Sequence, residues 1–376
     1  MRMKAAVMFE QGLEQPFAVS KPFHIEDVDL DGPYQGEVLV EVRAAGVCHS
    51  DLSVAEGQRK RTLPVVGGHE GAGIVREVGP GVVGLEPGDH VVMSAAGGCG
   101  QCRYCMAGRP GICDRIGVSR SQGLLPNGER RLSLNGEALF HYSGVSCFAQ
   151  FAVTTPGSLI KIDKDIPLDV AAIFGCAVVT GAGAVMNAAR VCPGDAVAVV
   201  GLGGVGLTSV MAAQASGASI IIGIDLLDSK FPIAKEVGCT HTFSGADPDL
   251  VAKIRDLTHG GVDFAFELTA NQRALNSAFD YTRKAGEIVC VGVSRADSRL
   301  DFPNTRLVSE DKVIRGAMLG SGVAERDIPK YLNLFREGNL PVDKLHSGSI
   351  TFDDLNESLD HLHDATVIRQ MLDPHA

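Results

Sequence analysis

Apolar residues follow one pattern in the first half of the chain and another in the second. Near the N-terminus they alternate or cluster in short runs: "GEVLVEVRAAG" (36–46) and "VVGGHEGAGIVREVGPGV" (65–82) read as strands punctuated by glycine. Beyond about residue 178, unbroken apolar runs alternate with helical periodicity. Strands are expected at 196–200, up to Asp225, at 262–268 ("VDFAFEL") and at 286–293 ("GEIVCVGV"). Helices are expected at 204–216, 249–258, 273–284 and 328–337. Continuous apolar strands separated by helices predict a doubly wound parallel sheet. The fold class is therefore α/β, with a β-rich domain over 1–177, a parallel-sheet domain over 178–320 and a tail over 321–376. The tail carries two helical stretches, "IPKYLNLFREG" and "FDDLNESLDHLHD", and is expected to return to the first domain.

Two stretches, 170–189 and 196–224, contain no charged side chain and are long enough to span a bilayer. Both are rich in glycine and carry scattered polar residues, and the second divides into strand, turn, helix and strand, so both read as buried. The run before Glu10 is too short for a signal-peptide core. A formal net charge of −11 with no long basic run argues against nucleic acid. The expectation is a soluble, cytoplasmic protein with neither a nucleic acid nor a membrane as partner.

That setting bears on the ten cysteines. In a reducing compartment, clustered thiols are more often metal ligands than disulfides. Cys99, Cys102, Cys105 and Cys113 follow a C-x2-C-x2-C-x7-C spacing within one Gly-rich lobe, about 97–114. Four thiolates make a closed tetrahedral site, which suits structural zinc; an iron–sulfur cluster takes the same ligands. Cys48, His69 and Cys176 lie in Gly-flanked segments and would leave one position open on a zinc ion. Their spacing alone fits buried small hydrophobes equally well.

"GLGGVG" stands between strand 196–200 and helix 204–216, with Gly201, Gly203 and Gly206 in the dinucleotide-binding spacing. Asp225 closes the following strand nineteen residues after Gly206, where an acid accepts the ribose hydroxyls. Leu226 and Leu227 follow it. With no arginine there for a 2′-phosphate, the pattern favours NAD over NADP.

These motifs, in this order, resemble the zinc-dependent medium-chain alcohol dehydrogenases over essentially the whole chain. The zinc signature of that family is met by Gly68, His69, Glu70, Gly73, Gly79 and Val82. The resemblance implies a GroES-like catalytic domain plus a Rossmann domain, two Zn2+ per chain, NAD, a small-molecule substrate and a homodimer. It implies Cys48, His69 and Cys176 as catalytic zinc ligands, a set known from alcohol dehydrogenase itself. Asp51 would orient His69, Glu70 would lie behind the metal, and Ser50 would accept the substrate proton. Ser53 stands where many members end their proton relay in histidine. His49 and Arg369 match positions facing the pyrophosphate, and Lys230 one near the adenosine ribose. Thr180 and Val205 match residues that pack the nicotinamide, and Gly204 and Val291 complete the implied cofactor set. Ala95, Tyr142, Met318 and Leu319 would line the substrate pocket, Ala95 replacing a residue that is often aromatic.

The implied activity is hydride transfer between NAD and a bulky alcohol or aldehyde, aromatic ones included. Two alternatives stand beside it: a formaldehyde dehydrogenase acting on an adduct of a thiol other than glutathione, and a non-catalytic zinc-stabilised NAD-binding protein. Members that grip glutathione do so with two acids and an arginine, where this chain has Arg59, Arg61 and Gly117. Arg59, Lys60 and Arg61 also reverse the local sign of an acidic chain. They either steer anionic substrates or form a solvated loop.

Overall fold

Strand Val38–Gly46 organises the N-terminal part of the molecule. It pairs antiparallel with Glu70–Val78, Phe151–Thr154 and Arg369–Leu372 in a seven-stranded sheet. Its apolar side chains are almost wholly buried, with Arg43 the one exposed exception at a register shift against Glu70–Val78. The pairing Ala45↔Gly71 fixes the register at the end of the ladder. Cys48, two residues beyond one strand, and His69, one before the other, therefore leave the sheet at the same end of these two neighbouring strands. A second, six-stranded sheet contains Arg2–Met8 and Phe23–Leu30.

The computed structural model describes every residue except 295 and 296. It divides into two units. The first comprises Met1–Cys176, Val323–Pro329 and Val342–Ala376; the second comprises Ala177–Gly322 and Lys330–Pro341. The segment 321–376 is thus shared between them, although strand Arg369–Leu372 does pair with Val38–Gly46 in the first.

The second unit holds a six-stranded, all-parallel sheet. Its strands run in the order His241–Ser244, Ile220–Asp225, Ala196–Val200, Val262–Glu267, Thr282–Cys290, Val313–Gly316. Chain order along the sheet is 3-2-1-4-5-6, the doubly wound dinucleotide-binding arrangement. Ala196–Val200 is buried along its whole length, as a strand covered on both faces must be.

One expected boundary moves. Helix Gln272–Tyr281 ends three residues early and strand Thr282–Cys290 takes over. Thr282 turns its hydroxyl back onto the Ala278 carbonyl at 2.6 Å, and Ala285 has φ 55°, which a helix cannot contain. The polar run "TRKAGE" gives no apolar period from which to read that turn. Helix Ala324–Arg336 likewise begins four residues before its expected start. The helical stretch Leu168–Ala189 is long and apolar enough to cross a membrane, but 83% of its most apolar window is buried. That burial is the mark of a core helix.

The glycine loop divides its labour. Gly201 has φ 95°, a conformation that favours glycine. A Cβ on Gly206 would stand 1.8 Å from the Gly201 carbonyl oxygen, so the helix Gly204–Ala215 approaches the strand only without a side chain there. A Cβ on Gly203 would meet nothing within 4 Å, and its φ of −86° is open to any residue. Gly206→Ala should therefore cost several kcal/mol of stability in urea unfolding, whereas Gly203→Ala should cost within about 1 kcal/mol. Equal losses would show that the loop has a purely structural role.

Candidate metal and dinucleotide sites

Cys48 begins the helical turn His49–Ala55, and its backbone N–H donates to Asp51 Oδ2 at 3.0 Å. The other oxygen of Asp51 lies 3.1 Å from His69 Nδ1. A single buried carboxylate thus ties two separate chain segments together. With its Nδ1 side fixed on Asp51, the imidazole presents Nε2, which is buried and has no hydrogen-bond partner among the described residues. Cys176 arrives from a π-helical turn, Phe174–Val178. A Cβ on Gly175 would lie 2.3 Å from the Met93 carbonyl, and Ser94 Oγ donates to the Gly175 carbonyl at 2.6 Å. This close seat on strand His90–Ser94 aims the thiol.

The ligand atoms of Cys48, His69 and Cys176 all lie within 4.8 Å of one another, and all three residues are buried. Two thiols and an orphaned imidazole nitrogen at that separation fit a zinc ion with one position left open. The electrostatics favour thiolate. The hydrogen bond from Cys176, reinforced by Arg369 and His69, holds the Cys48 thiol well below its usual range. The shared proton keeps Cys176 correspondingly high. Burial pulls the His69 value down, but the charges of Asp51 and Cys176 win and raise it.

Cys99, Cys102, Cys105 and Cys113 also converge within 4.8 Å. The Sγ–Sγ separations are 4.0 Å for Cys99–Cys105 and 3.8 Å for Cys102–Cys113. Zinc–sulfur bonds near 2.3 Å give tetrahedral edges of about 3.8 Å, so the lobe has the dimensions of a zinc tetrathiolate and not of a disulfide. Backbone N–H groups of Cys105 and Asp114 lower the Cys102 thiol to about 6, while burial lifts Cys105 to about 12.

The remaining sequence candidates of this unit take definite places. Glu70 is fully buried with its carboxylate against Gly46, where a Cβ would stand 2.1 Å from its oxygen, and it pairs with Arg369 at 3.4 Å. Arg369, expected at a pyrophosphate, is 3% exposed and donates to the Val47 carbonyl. The structure thus holds it within the buried polar group behind Cys48. The Tyr142 ring stands perpendicular to the His69 ring with centroids 5.4 Å apart, and its hydroxyl donates to the Ser50 carbonyl at 3.2 Å. Ser53 spends its hydroxyl on the His49 carbonyl at 2.9 Å. His49 is exposed, and Ala95 is buried just past strand His90–Ser94. Two contacts escaped the sequence reading. Arg59 donates to Ser50 Oγ at 3.3 Å, and the Arg61 guanidinium lies over the Tyr142 ring at 5.2 Å. The local reversal of charge in an acidic chain was their only signal.

In the second unit, Gly203 opens helix Gly204–Ala215, and the open side of its Cα is the approach that a pyrophosphate needs. Asp225 ends its strand with Oδ2 accepting from Leu202 N at 2.7 Å and from Lys230 Nζ at 3.1 Å. Its Oδ1 accepts from Leu227 N at 3.1 Å. Lys230, which the resemblance implied near the adenosine ribose, is held on the Asp225 carboxylate. Thr180 lies in helix Val179–Gly183 and Val205 in the first turn after the glycines, both half-buried. Val291 donates its N–H to the Glu267 carbonyl. Met318 is 46% exposed, and Leu319 takes a left-handed φ of 48°.

Comparison with known proteins follows the same division. Residues 34–164 match the alcohol dehydrogenase GroES-like domain, and residues 204–337 match the zinc-binding dehydrogenase model. The chain is 35% identical to S-(hydroxymethyl)glutathione dehydrogenase of Paracoccus denitrificans over 382 residues, covering 99% of this chain and 100% of that one. It is 35% identical to the NDMA-dependent alcohol dehydrogenase of Amycolatopsis methanolica, covering 99% of each. Among solved structures, benzyl alcohol dehydrogenase of Acinetobacter calcoaceticus is similar with a TM-score of 0.92 at 33% identity, covering 99% of both chains. Two domain models in register, full-length relatives and two thiol clusters of zinc dimensions converge on one conclusion: the chain belongs to the zinc-dependent medium-chain alcohol dehydrogenases, oxidoreductases whose cofactors are zinc and a nicotinamide dinucleotide.

Proposed function

We propose that this protein is an NAD-dependent zinc alcohol dehydrogenase acting on a bulky primary alcohol or its aldehyde, benzylic substrates among them. The observation that carries the proposal is the buried Cys48–His69–Cys176 cluster with its orphaned Nε2, because a closed structural site has no use for three ligands and an open position. Bound there, zinc would acidify the alcohol hydroxyl, while the dinucleotide would accept the hydride.

The chain's own groups supply the rest. Asp51 fixes the His69 tautomer, so that Nε2 and not Nδ1 faces the metal. Ser50 takes the alcohol proton. The guanidinium of Arg59 donates to Ser50 Oγ and so leaves its O–H directed elsewhere. Ser53, with its hydroxyl spent on the His49 carbonyl, is no proton store, so it does not reproduce the histidine relay of other members. Glu70 and Arg369 neutralise one another behind Cys48, and the positive member steadies the thiolate.

Asp225 supports NAD over NADP: a carboxylate held by two backbone N–H groups cannot move aside for a 2′-phosphate. Glutathione adducts are disfavoured because Arg59, Arg61 and Gly117 replace the acids and arginine that would hold the tripeptide. The free cysteines and the absence of a disulfide among the described residues support a cytoplasmic location. Edge strand Val313–Gly316, with Val313 44% exposed, supports a homodimer.

Metal analysis separates the two clusters. The unmodified protein should hold two zinc ions per chain. Cys48→Ala should hold one, bind NADH and lose turnover by several orders of magnitude. Cys102→Ala should also hold one, but its main loss should be in thermal stability. A Cys48→Ala protein that kept near-normal turnover would overturn the catalytic assignment.

The cofactor assignment is tested by kcat/KM for NAD and NADP. NAD should be preferred by orders of magnitude, and Asp225→Ala should narrow the gap by weakening NAD binding by about 1–3 kcal/mol, the worth of a charged hydrogen bond. Equal use of both cofactors by the unmodified enzyme would count decisively against it.

A further inference from the structure

We infer that Arg59 and Arg61 form an anion-binding subsite beside the Cys48–His69–Cys176 cluster, so that the preferred alcohol carries a carboxylate or phosphate group away from its hydroxyl. The inference rests on the alcohol dehydrogenase reading and adds the substrate class to it. A solvated loop would hold its cations out in water, and these two are instead packed inward. Both are half-buried, whereas Lys60 between them is exposed. Arg59 donates to Ser50 Oγ at 3.3 Å, and Arg61 lies over the Tyr142 ring, which packs perpendicular to the His69 ring. Arg59 thus touches a group that the zinc site uses, and Arg61 is one side chain removed from another.

The loop is also built to hold them there. Gln11 Nε2 donates to the carbonyls of Val54 at 3.0 Å and Arg59 at 3.1 Å, and its Oε1 accepts from Arg61 N at 3.0 Å. Arg59 N donates to the Ser53 carbonyl at 3.1 Å. One side chain therefore pins both arginines to the helical turn that begins at Cys48.

Their charge is uncompensated by the chain. Neither guanidinium has a carboxylate within ion-pair distance among the described residues. The acids nearby are committed: Asp51 to His69 and Cys48 N, and Glu56 to Gln58 at 2.7 Å and His363 at 3.0 Å. An arginine has five N–H donors, and the side-chain bonds seen here use one of Arg59 on Ser50 and one of Arg61 on the Lys60 carbonyl. Two half-buried guanidinium groups with unspent donors and no counter-charge match an oxyanion, which they bind in forked pairs. A cationic substrate group would be repelled by the same pair. Steering by the field of Arg59, Lys60 and Arg61 adds a contribution that salt screens.

The test compares benzyl alcohol, 4-(hydroxymethyl)benzoate and 4-(hydroxymethyl)phenyl phosphate with the zinc-loaded enzyme. The unmodified enzyme should favour at least one anionic alcohol in kcat/KM by about tenfold or more at low salt, the yield of one well-placed charge pair, and the preference should shrink as salt rises. The anionic-to-neutral ratio should fall about tenfold in the Arg59→Gln, Arg61→Gln double variant and be partly kept by Lys at both positions. The ratio itself corrects for any general damage to the site. Which anion is favoured identifies carboxylate or phosphate as the group read. Calorimetric binding of the two anionic alcohols to the NADH complex supplies a readout without turnover. A ratio near one in the unmodified enzyme, or one unmoved by the Gln substitutions, overturns the subsite while leaving the dehydrogenase reading intact. Arginine-dependent binding with no alcohol oxidised keeps the subsite and overturns the dehydrogenase reading. Neither turnover nor binding overturns both.

Discussion

The buried bond between Asp51 and His69 is the interaction on which the rest of this site depends. Antiparallel pairing of Val38–Gly46 with Glu70–Val78 brings Cys48 and His69 to one end of the strand pair, but pairing alone leaves side-chain direction open. Asp51 closes that freedom by accepting from Cys48 N with one oxygen while holding His69 Nδ1 with the other. A carboxylate that is 2% exposed is stable only with such partners, so its burial and its function have the same cause. The arrangement also sets the charge of the group. An Asp51 anion, two thiols sharing a proton and the Arg369–Glu70 pair leave a local negative excess beside a buried imidazole, the setting in which a divalent cation gains most.

Glycine performs a matching task wherever the backbone must come close. Gly175 seats the π-helical turn of Cys176 on Met93, Gly46 makes room for the Glu70 carboxylate, and Gly206 allows the helix of the second unit to meet its strand. At each of these a Cβ would overlap an oxygen at 1.8–2.3 Å. Gly203 differs, because the space above it is open. The first three are glycine for the sake of packing, and the fourth for what lies outside the chain.

Much of this was legible from residue order. The parallel sheet was readable because its strands are continuous apolar runs: Ala196–Val200 and Val262–Glu267 carry the period of buried strands, and the strand expected to end at Asp225 does end there. The tetrathiolate lobe was readable because its four ligands are neighbours in sequence. Cys48, His69 and Cys176 needed a family resemblance, since their meeting depends on a strand register and on a helix seat supplied by Ser94 and Gly175, neither of which periodicity encodes. The boundary between Tyr281 and Thr282 was hidden for a related reason. A positive φ at Ala285 is a tertiary decision, with no glycine or proline at that position to announce it.

Least legible were the roles of long, flexible side chains. Arg369 matched a position expected to face phosphate, yet here it is drawn inward by Glu70 and the thiols, whose negative charge in a dry setting outweighs the cost of burying a guanidinium. Arg59 and Arg61 went the other way: a charge run in a loop ordinarily faces water, and these two fold back onto Ser50 and Tyr142 because Gln11 fixes their backbone there. In both cases the deciding partner lies far away in the chain, Gln11 for the loop and Glu70 for Arg369. Sign reversal in a sequence marks where to look, and the direction of the guanidinium is set by which buried acceptors the fold leaves unsatisfied. Behind Cys48 that acceptor is Glu70. Beside Ser50 the acceptors these guanidinium groups meet among the described residues are neutral oxygens, and the charge of the pair stays available to a substrate.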